Sequence, residues 1–164
     1  MSDPDVIGPD AASFRSVLGH FATGITVITA MDGDEPVGMA ANSFTSVSLD
    51  PPLVLFCPGK NSSTWPKIQR ADGWCVNILA DDQEEVCRLM AQKGAERFRE
   101  IGWKSAPSGA PILQGTVAHI DCRTVAEHDA GDHLIVVGRV VEMAVNHHDG
   151  PLLFFRGGYG QFAV

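Results

Sequence analysis

Hydrophobic positions near the start of the chain recur at helical spacing. Phe14, Val17, Leu18 and Phe21 fall at i, i+3, i+4 and i+7, one face of a helix that Asp10 or Ser13 can cap and Gly24 ends. The period then changes. Ile25-Thr26-Val27-Ile28-Thr29 is a β-branched run, Asp32-Gly33-Asp34-Glu35 has turn composition, and an extended stretch resumes at Val37, so the pattern predicts a hairpin. Leu53 to Cys57 and Trp74 to Leu79 read as two buried strands, separated by a short helix that starts at Ser63 or Thr64 with Pro66 in its first turn. A further helix starts at Asp82, with Glu85 at the capping-box position and Val86, Leu89 and Met90 on one face, and ends near Gly94.

Beyond it, Ala118, Ile120, Cys122 and Thr124 alternate with His119, Asp121 and Arg123, the period-two pattern of a strand with one wet face. His128 to Asp132 turns the chain, and Leu134 to Val145 and Leu152 to Phe155 supply the last strands. Six or seven strands joined mostly by short turns lack the long crossovers that a parallel sheet needs. The predicted fold is therefore mainly β, an antiparallel barrel with two or three peripheral helices, in which closure removes exposed sheet edges.

Composition narrows the setting. A chain of 164 residues, 45% of them apolar, supports one substantial core, so residues 1–164 read as a single domain with 1–10 as a flexible N-terminal arm. Twelve Lys and Arg against 20 Asp and Glu give a net charge of −8 with no basic tract, which argues against a nucleic-acid partner. The opening MSDPDVIGPD lacks the basic-then-apolar pattern of a secretory signal, and the apolar runs are strand-sized, well short of the ~20 residues that cross a bilayer. A cytoplasmic protein is expected. Cys57, Cys75, Cys87 and Cys122 are irregularly spaced among apolar neighbours and read as reduced core thiols, not zinc ligands.

Five segments offer chemistry. In Met39 to Pro52, small and hydroxylated residues occupy an otherwise apolar strand: Ala40, Ala41, Asn42, Ser43 and Ser46 let a flat ring such as a flavin approach backbone donors, and suit an edge strand facing water equally well. Lys60, Ser62, Ser63 and Thr64 precede a helix and can bind phosphate, although N-capping alone needs only one of the hydroxyls. Lys93, Arg97 and Arg99 beside Phe98 can clamp a phosphate or form a solvated helix end. His128 to Val140 holds two His and two Asp, yet Asp129, Gly131 and Asp132 are also hairpin residues; His133 is a possible ligand contact or a turn residue without a role. The closing Arg156-Gly157-Gly158-Tyr159 can fold over a cofactor or finish a sheet. No Ser/His/Asp arrangement and no GxGxxG fingerprint is present.

In this order, FRSVLGHFATGITVIT, NSFTSVSLDPPLVLF, WCVNIL, ERF, GDHLIVVG and PLLFFRGGYG resemble the flavin reductase-like family, the short-chain NAD(P)H:flavin oxidoreductases that serve two-component monooxygenases. The resemblance implies an FMN-binding split barrel, Greek-key-like and usually homodimeric, with flavin near the subunit boundary. It further implies that FMN or FAD is reduced by NADH, or by NADPH, and passed to a partner oxygenase. By the same resemblance, Met39, Ala40, Ala41, Asn42, Ser43 and Ser46 contact the flavin ring and Ser62, Ser63 and Thr64 its phosphate. Lys60 adds charge there, and Lys93, Arg97 and Phe98 hold the far end of the flavin. His133, Arg156, Gly157 and Tyr159 face the nicotinamide nucleotide. Ala40 departs from the common threonine, which removes one hydroxyl contact. The absence of concentrated cations near the tail leans toward NADH. No general acid or base is required of the protein. A flavin- or haem-binding module without turnover is the alternative reading, and a pyridoxamine-phosphate-type oxidase would want a more cationic pocket.

Overall fold

A computed structural model describes residues 9–92 and 97–163. The first helix, α1 (Ala11–Leu18), begins where Asp10 caps it, Oδ1 accepting from the amides of Ala12 at 3.1 Å and Ser13 at 3.0 Å. It stops at Gly19, not Gly24, and Phe21 lies beyond it. Its apolar face is not buried either: Phe14, Val17 and Leu18 are at least half exposed.

The strands follow as β1 (Thr23–Gly24), β2 (Thr26–Asp32), β3 (Glu35–Ala41), β4 (Thr45–Leu49), β5 (Pro52–Phe56) and β6 (Trp74–Ile78), with α2 (Trp65–Gln69) before β6 and α3 (Glu84–Ala91) after it. Then come β7 (Trp103–Ser105), β8 (Pro111–Leu113), β9 (Ala118–Ala130), β10 (His133–Val145), β11 (Leu152–Phe155) and β12 (Gly158–Gln161). The described residues thus hold twelve strands, more than the six or seven expected, because the apolar pattern does not mark β1, β7, β8 or the glycine-rich β12 and does not separate β4 from β3. The start of α3 also differs from expectation. Gln83, not Asp82, precedes it, and the Gln83 side chain accepts from Ala80 N and donates to Gln114 O instead of closing a capping box.

Seven strands form one antiparallel sheet in the order β3-β2-β6-β9-β10-β5-β4. Its two outer strands are consecutive in sequence, joined by residues 42–44. Laid flat, seven strands would separate those edges by about 29 Å, whereas the connection reaches about 15 Å at most. The sheet therefore curls until β3 and β4 stand near one another, a split barrel. Inside it, Ile28, Phe56, Trp65, Ile68, Trp74, Val76 and Val136 form the main core, with Phe56 edge-on to both Trp65 and Trp74. A second cluster on the opposite face, including Val27, Leu79, Cys87, Met90 and Leu152, seats α3 and the three-stranded sheet β1-β11-β12.

β9 overturns the expectation of one wet face. His119 and Asp121 are buried, because the segment carrying β7 and β8 lies over that side of the sheet. Polar partners make the burial tolerable: Ser108 donates to Asp121 from its amide at 2.9 Å and from its hydroxyl at 2.6 Å, and His119 Nδ1 meets Asn146 Oδ1 at 2.9 Å. The four cysteines are free. Among the described residues, no helix is long and apolar enough to cross a membrane.

Candidate functional site

The alternation of β3 divides the residues expected at the ring between two faces. Met39 and Ala41 pack on the main core, while Gly38 and Ala40 turn toward α3 and the second cluster. Glycine at 38 gives two neighbouring side chains room, since a Cβ there would stand 3.1 Å from Met90 Sδ and 3.1 Å from Phe98 Cζ. After β3 the chain bends, and Ser43 fixes the bend by accepting from Cys57 N at 2.9 Å. Ser46 lies exposed on β4, opposite Val54.

Three clefts surround this strand and bend. The first, about 150 Å³, is lined by Glu35 to Gly38, Ser63, Thr64, Lys67, Arg97 and Phe98. Here Arg97 Nη2 donates to Thr64 Oγ1 at 3.1 Å and Nη1 to Met90 O at 2.8 Å, and burial lowers the guanidinium's pKa. A partly desolvated cation beside hydroxyls is the donor set that a phosphate requires. Ser62 has the ordinary capping role: its hydroxyl accepts from Thr64 N at 3.2 Å and Trp65 N at 3.1 Å, which leaves Ser63 and Thr64 to line the cleft. Lys67 was missed by sequence reasoning, although its place three residues after Thr64 puts it on the same side of α2. Lys93 lies outside the described residues.

The second cleft, about 180 Å³, is bounded by Ile25, Ala40, Ala41, Asn42, Cys87, Phe154 and Tyr159. The third, about 520 Å³, lies across Asn42 and runs from Phe21 to Thr26 and from Asn42 to Thr45. A cavity of about 670 Å³ under β7 and β8, lined by Trp103, His119, Asn146 and His147, shares no residue with the predicted set.

Lys60 joins none of these clefts. It pairs with Asp129 on the β9–β10 hairpin, and its amide donates to Asp132 O at 2.9 Å. His133 sits beside it, bridged to Gly59, with Nδ1 2.7 Å from Asp132 Oδ1. That contact holds the Asp132 carboxyl below its ordinary range. The hairpin turns through Gly131 in the left-handed region, φ 71°, and among the described residues no three His, Cys, Asp or Glu side chains converge as a metal site.

Arg156 and Gly157 make the two-residue turn between β11 and β12, with φ of 50° and 78°, the conformation that such hairpins favour. Arg156 N donates to Gly19 O at 2.8 Å. Tyr159, on β12, reaches α3. The four nicotinamide-facing candidates are thus not gathered into one cleft within a single chain: Tyr159 lines the second, and His133 stands at the far end of β10.

These clefts surround a split barrel whose candidate residues suit a flavin phosphate and a flat ring, and the sequence profile described as "flavin reductase like domain" matches residues 18–163. The chain belongs to that family. A flavin reductase of Pseudomonas putida is 50% identical over 156 residues, 94% of this chain and 92% of that one. Reductase subunit HsaB of a flavin-dependent monooxygenase of Rhodococcus jostii is 47% identical over 150 residues, covering 92% and 77%. Among solved structures, the Streptomyces globisporus NADH:FAD oxidoreductase SgcE6, in complex with NAD and FAD fragments, superposes with a TM-score of 0.92 at 38% identity over 98% of both chains. The chain's activity is accordingly that of its family, the reduction of flavin.

Proposed function

We propose that this protein takes hydride from NADH in preference to NADPH, reduces FMN or FAD, and releases the reduced flavin to a separate oxygenase in the cytoplasm. The observation that carries the site is Arg97, partly buried and donating to Thr64 in a cleft that Ser63 and Lys67 complete. Those four residues hold the flavin phosphate. Backbone and small side chains from Met39 to Ser46 lie along the ring, with Ala40 of β3 and Asn42 just beyond its end lining the second cleft. When bound, the flavin supplies the ring nitrogen that accepts hydride from the reduced nicotinamide. The protein's part is to hold the two rings together and keep them oriented, which requires no acid or base of its own.

Tyr159 bounds the nicotinamide side. Arg156, Gly157 and His133 complete that side across a homodimer, in which the partner supplies what one chain keeps apart. The exposed apolar residues Phe14, Val17, Leu18, Phe21 and Phe155 around α1, and Val141, Met143 and Val145 on β10, supply the surface for such an assembly. Reductase-subunit names among the relatives favour turnover over the non-catalytic flavin- or haem-binding alternative.

The test is a two-by-two assay of NADH or NADPH with FMN or FAD on purified protein. Nucleotide oxidation should depend on added flavin and run faster with NADH; protein that oxidises neither nucleotide with either flavin overturns the proposal. Sedimentation should return twice the mass of the chain.

A further inference from the structure

The Tyr159 ring is held from three sides. Its hydroxyl lies 3.6 Å from Cys87 Sγ, the Arg88 guanidinium stands 4.8 Å from the ring centroid, and Phe154 meets it edge-on at 5.6 Å. Arg88 is itself fixed, its Nη2 and Nε donating to Glu84 Oε1 at 2.7 and 3.0 Å one turn earlier on α3. Tyr159 belongs to β12, an outer strand paired only with β11 in its sheet. Its backbone therefore constrains the ring little, and consecutive residues of α3 decide where the ring stands. That ring lines the second cleft together with Ala40, Asn42, Cys87 and Phe154.

We propose that Arg88 and Cys87 are positioning residues for the nicotinamide nucleotide: from α3 they fix Tyr159 as the surface against which the reduced nicotinamide packs. The proposal rests on the reading of Tyr159 given above. Cys87 restrains the hydroxyl and Arg88 keeps the ring from swinging toward α3. Arg88 has a second consequence. The nicotinamide is neutral before it gives up hydride and cationic afterwards, so a guanidinium stacked on the ring disfavours the oxidised nucleotide and helps it leave.

The experiment compares Arg88→Met, Arg88→Lys, Cys87→Ala and Tyr159→Ala in the full chain. It measures KM for NADH, kcat, product inhibition by NAD⁺, flavin affinity by fluorescence, and melting temperature. Arg88→Met and Cys87→Ala should each raise KM for NADH by about two- to fivefold while kcat and flavin affinity hold. Arg88→Met alone should lower the ratio of the NAD⁺ inhibition constant to KM for NADH, and Arg88→Lys should restore it; a merely structural role would weaken both nucleotides together. If Tyr159→Ala leaves KM for NADH unchanged, the reading of Tyr159 fails. If Tyr159→Ala raises it and the Arg88 and Cys87 variants do not, or if flavin affinity falls in step, the positioning proposal fails by itself.

Discussion

Replacing Arg97 with methionine keeps most of the aliphatic stem and removes the fork that donates to Thr64 Oγ1 and Met90 O. On our reading the same fork faces the flavin phosphate. A hydrogen bond between charged groups contributes about 1.5–3 kcal/mol. At about 1.4 kcal/mol per decade, Arg97→Met should weaken FMN binding by roughly 10- to 150-fold. Riboflavin, with the same ring and no phosphate, is the control. Titration followed by quenching of flavin fluorescence should show FMN falling to the level of riboflavin while riboflavin itself changes by less than about twofold. Arg97→Lys, which keeps the charge and loses the planar fork, should fall between. Equal weakening of FMN and riboflavin would mean that Arg97 shapes the ring site or the fold and does not bind phosphate; unaltered FMN affinity would remove it from the site.

Gly138→Ala would place a Cβ 2.4 Å from Trp74 Cζ2, and that ring is pinned by Phe56 at 4.8 Å and by its Nε1 donating to Thr124 Oγ1 at 2.9 Å. Overpacking of this kind costs about 1–3 kcal/mol, or roughly 3–10 °C of melting temperature in a chain of this length, and a shift under about 1 °C would refute the argument. Burial raises all four thiols, Cys75 to about 12, but Cys57 is only half-buried while the others are buried, so alkylation of the folded protein near pH 8 should reach Cys57 first, as peptide mapping would read. Arg70 holds the Asp32 carboxyl below its ordinary range through two 2.8 Å bonds. The pair therefore contributes stability above the unfolded carboxylate's pKa and loses it as pH falls through the lowered value. Arg70→Gln should lower the melting temperature slightly near neutrality, with the difference vanishing in acid and shrinking in high salt; a difference that persists in acid contradicts this assignment.

Features that depend on near neighbours are legible along the chain. Helix starts at Asp10 and around Thr64, the β2–β3 and β9–β10 turns, and the main strands follow from spacing, capping chemistry and glycine placement, all of which act within a few residues. The order of its motifs also marked the family. Other features depend on what lies across from each element, which only packing settles. His119 and Asp121 alternate as a wet face should, yet the layer carrying β7 and β8 covers them, and nothing local to β9 announces that layer. Lys60 is near Ser63 in sequence, and only the folded chain brings it to the hairpin carboxylate of Asp129. Lys67 and Glu35 gained a place in the Arg97 cleft because α2 packs beside β3, and Tyr159 gained its definition from Cys87 and Arg88, 72 and 71 residues earlier in the chain. Periodicity records which face of an element is apolar; only the closed barrel and the elements laid over it determine what each face meets.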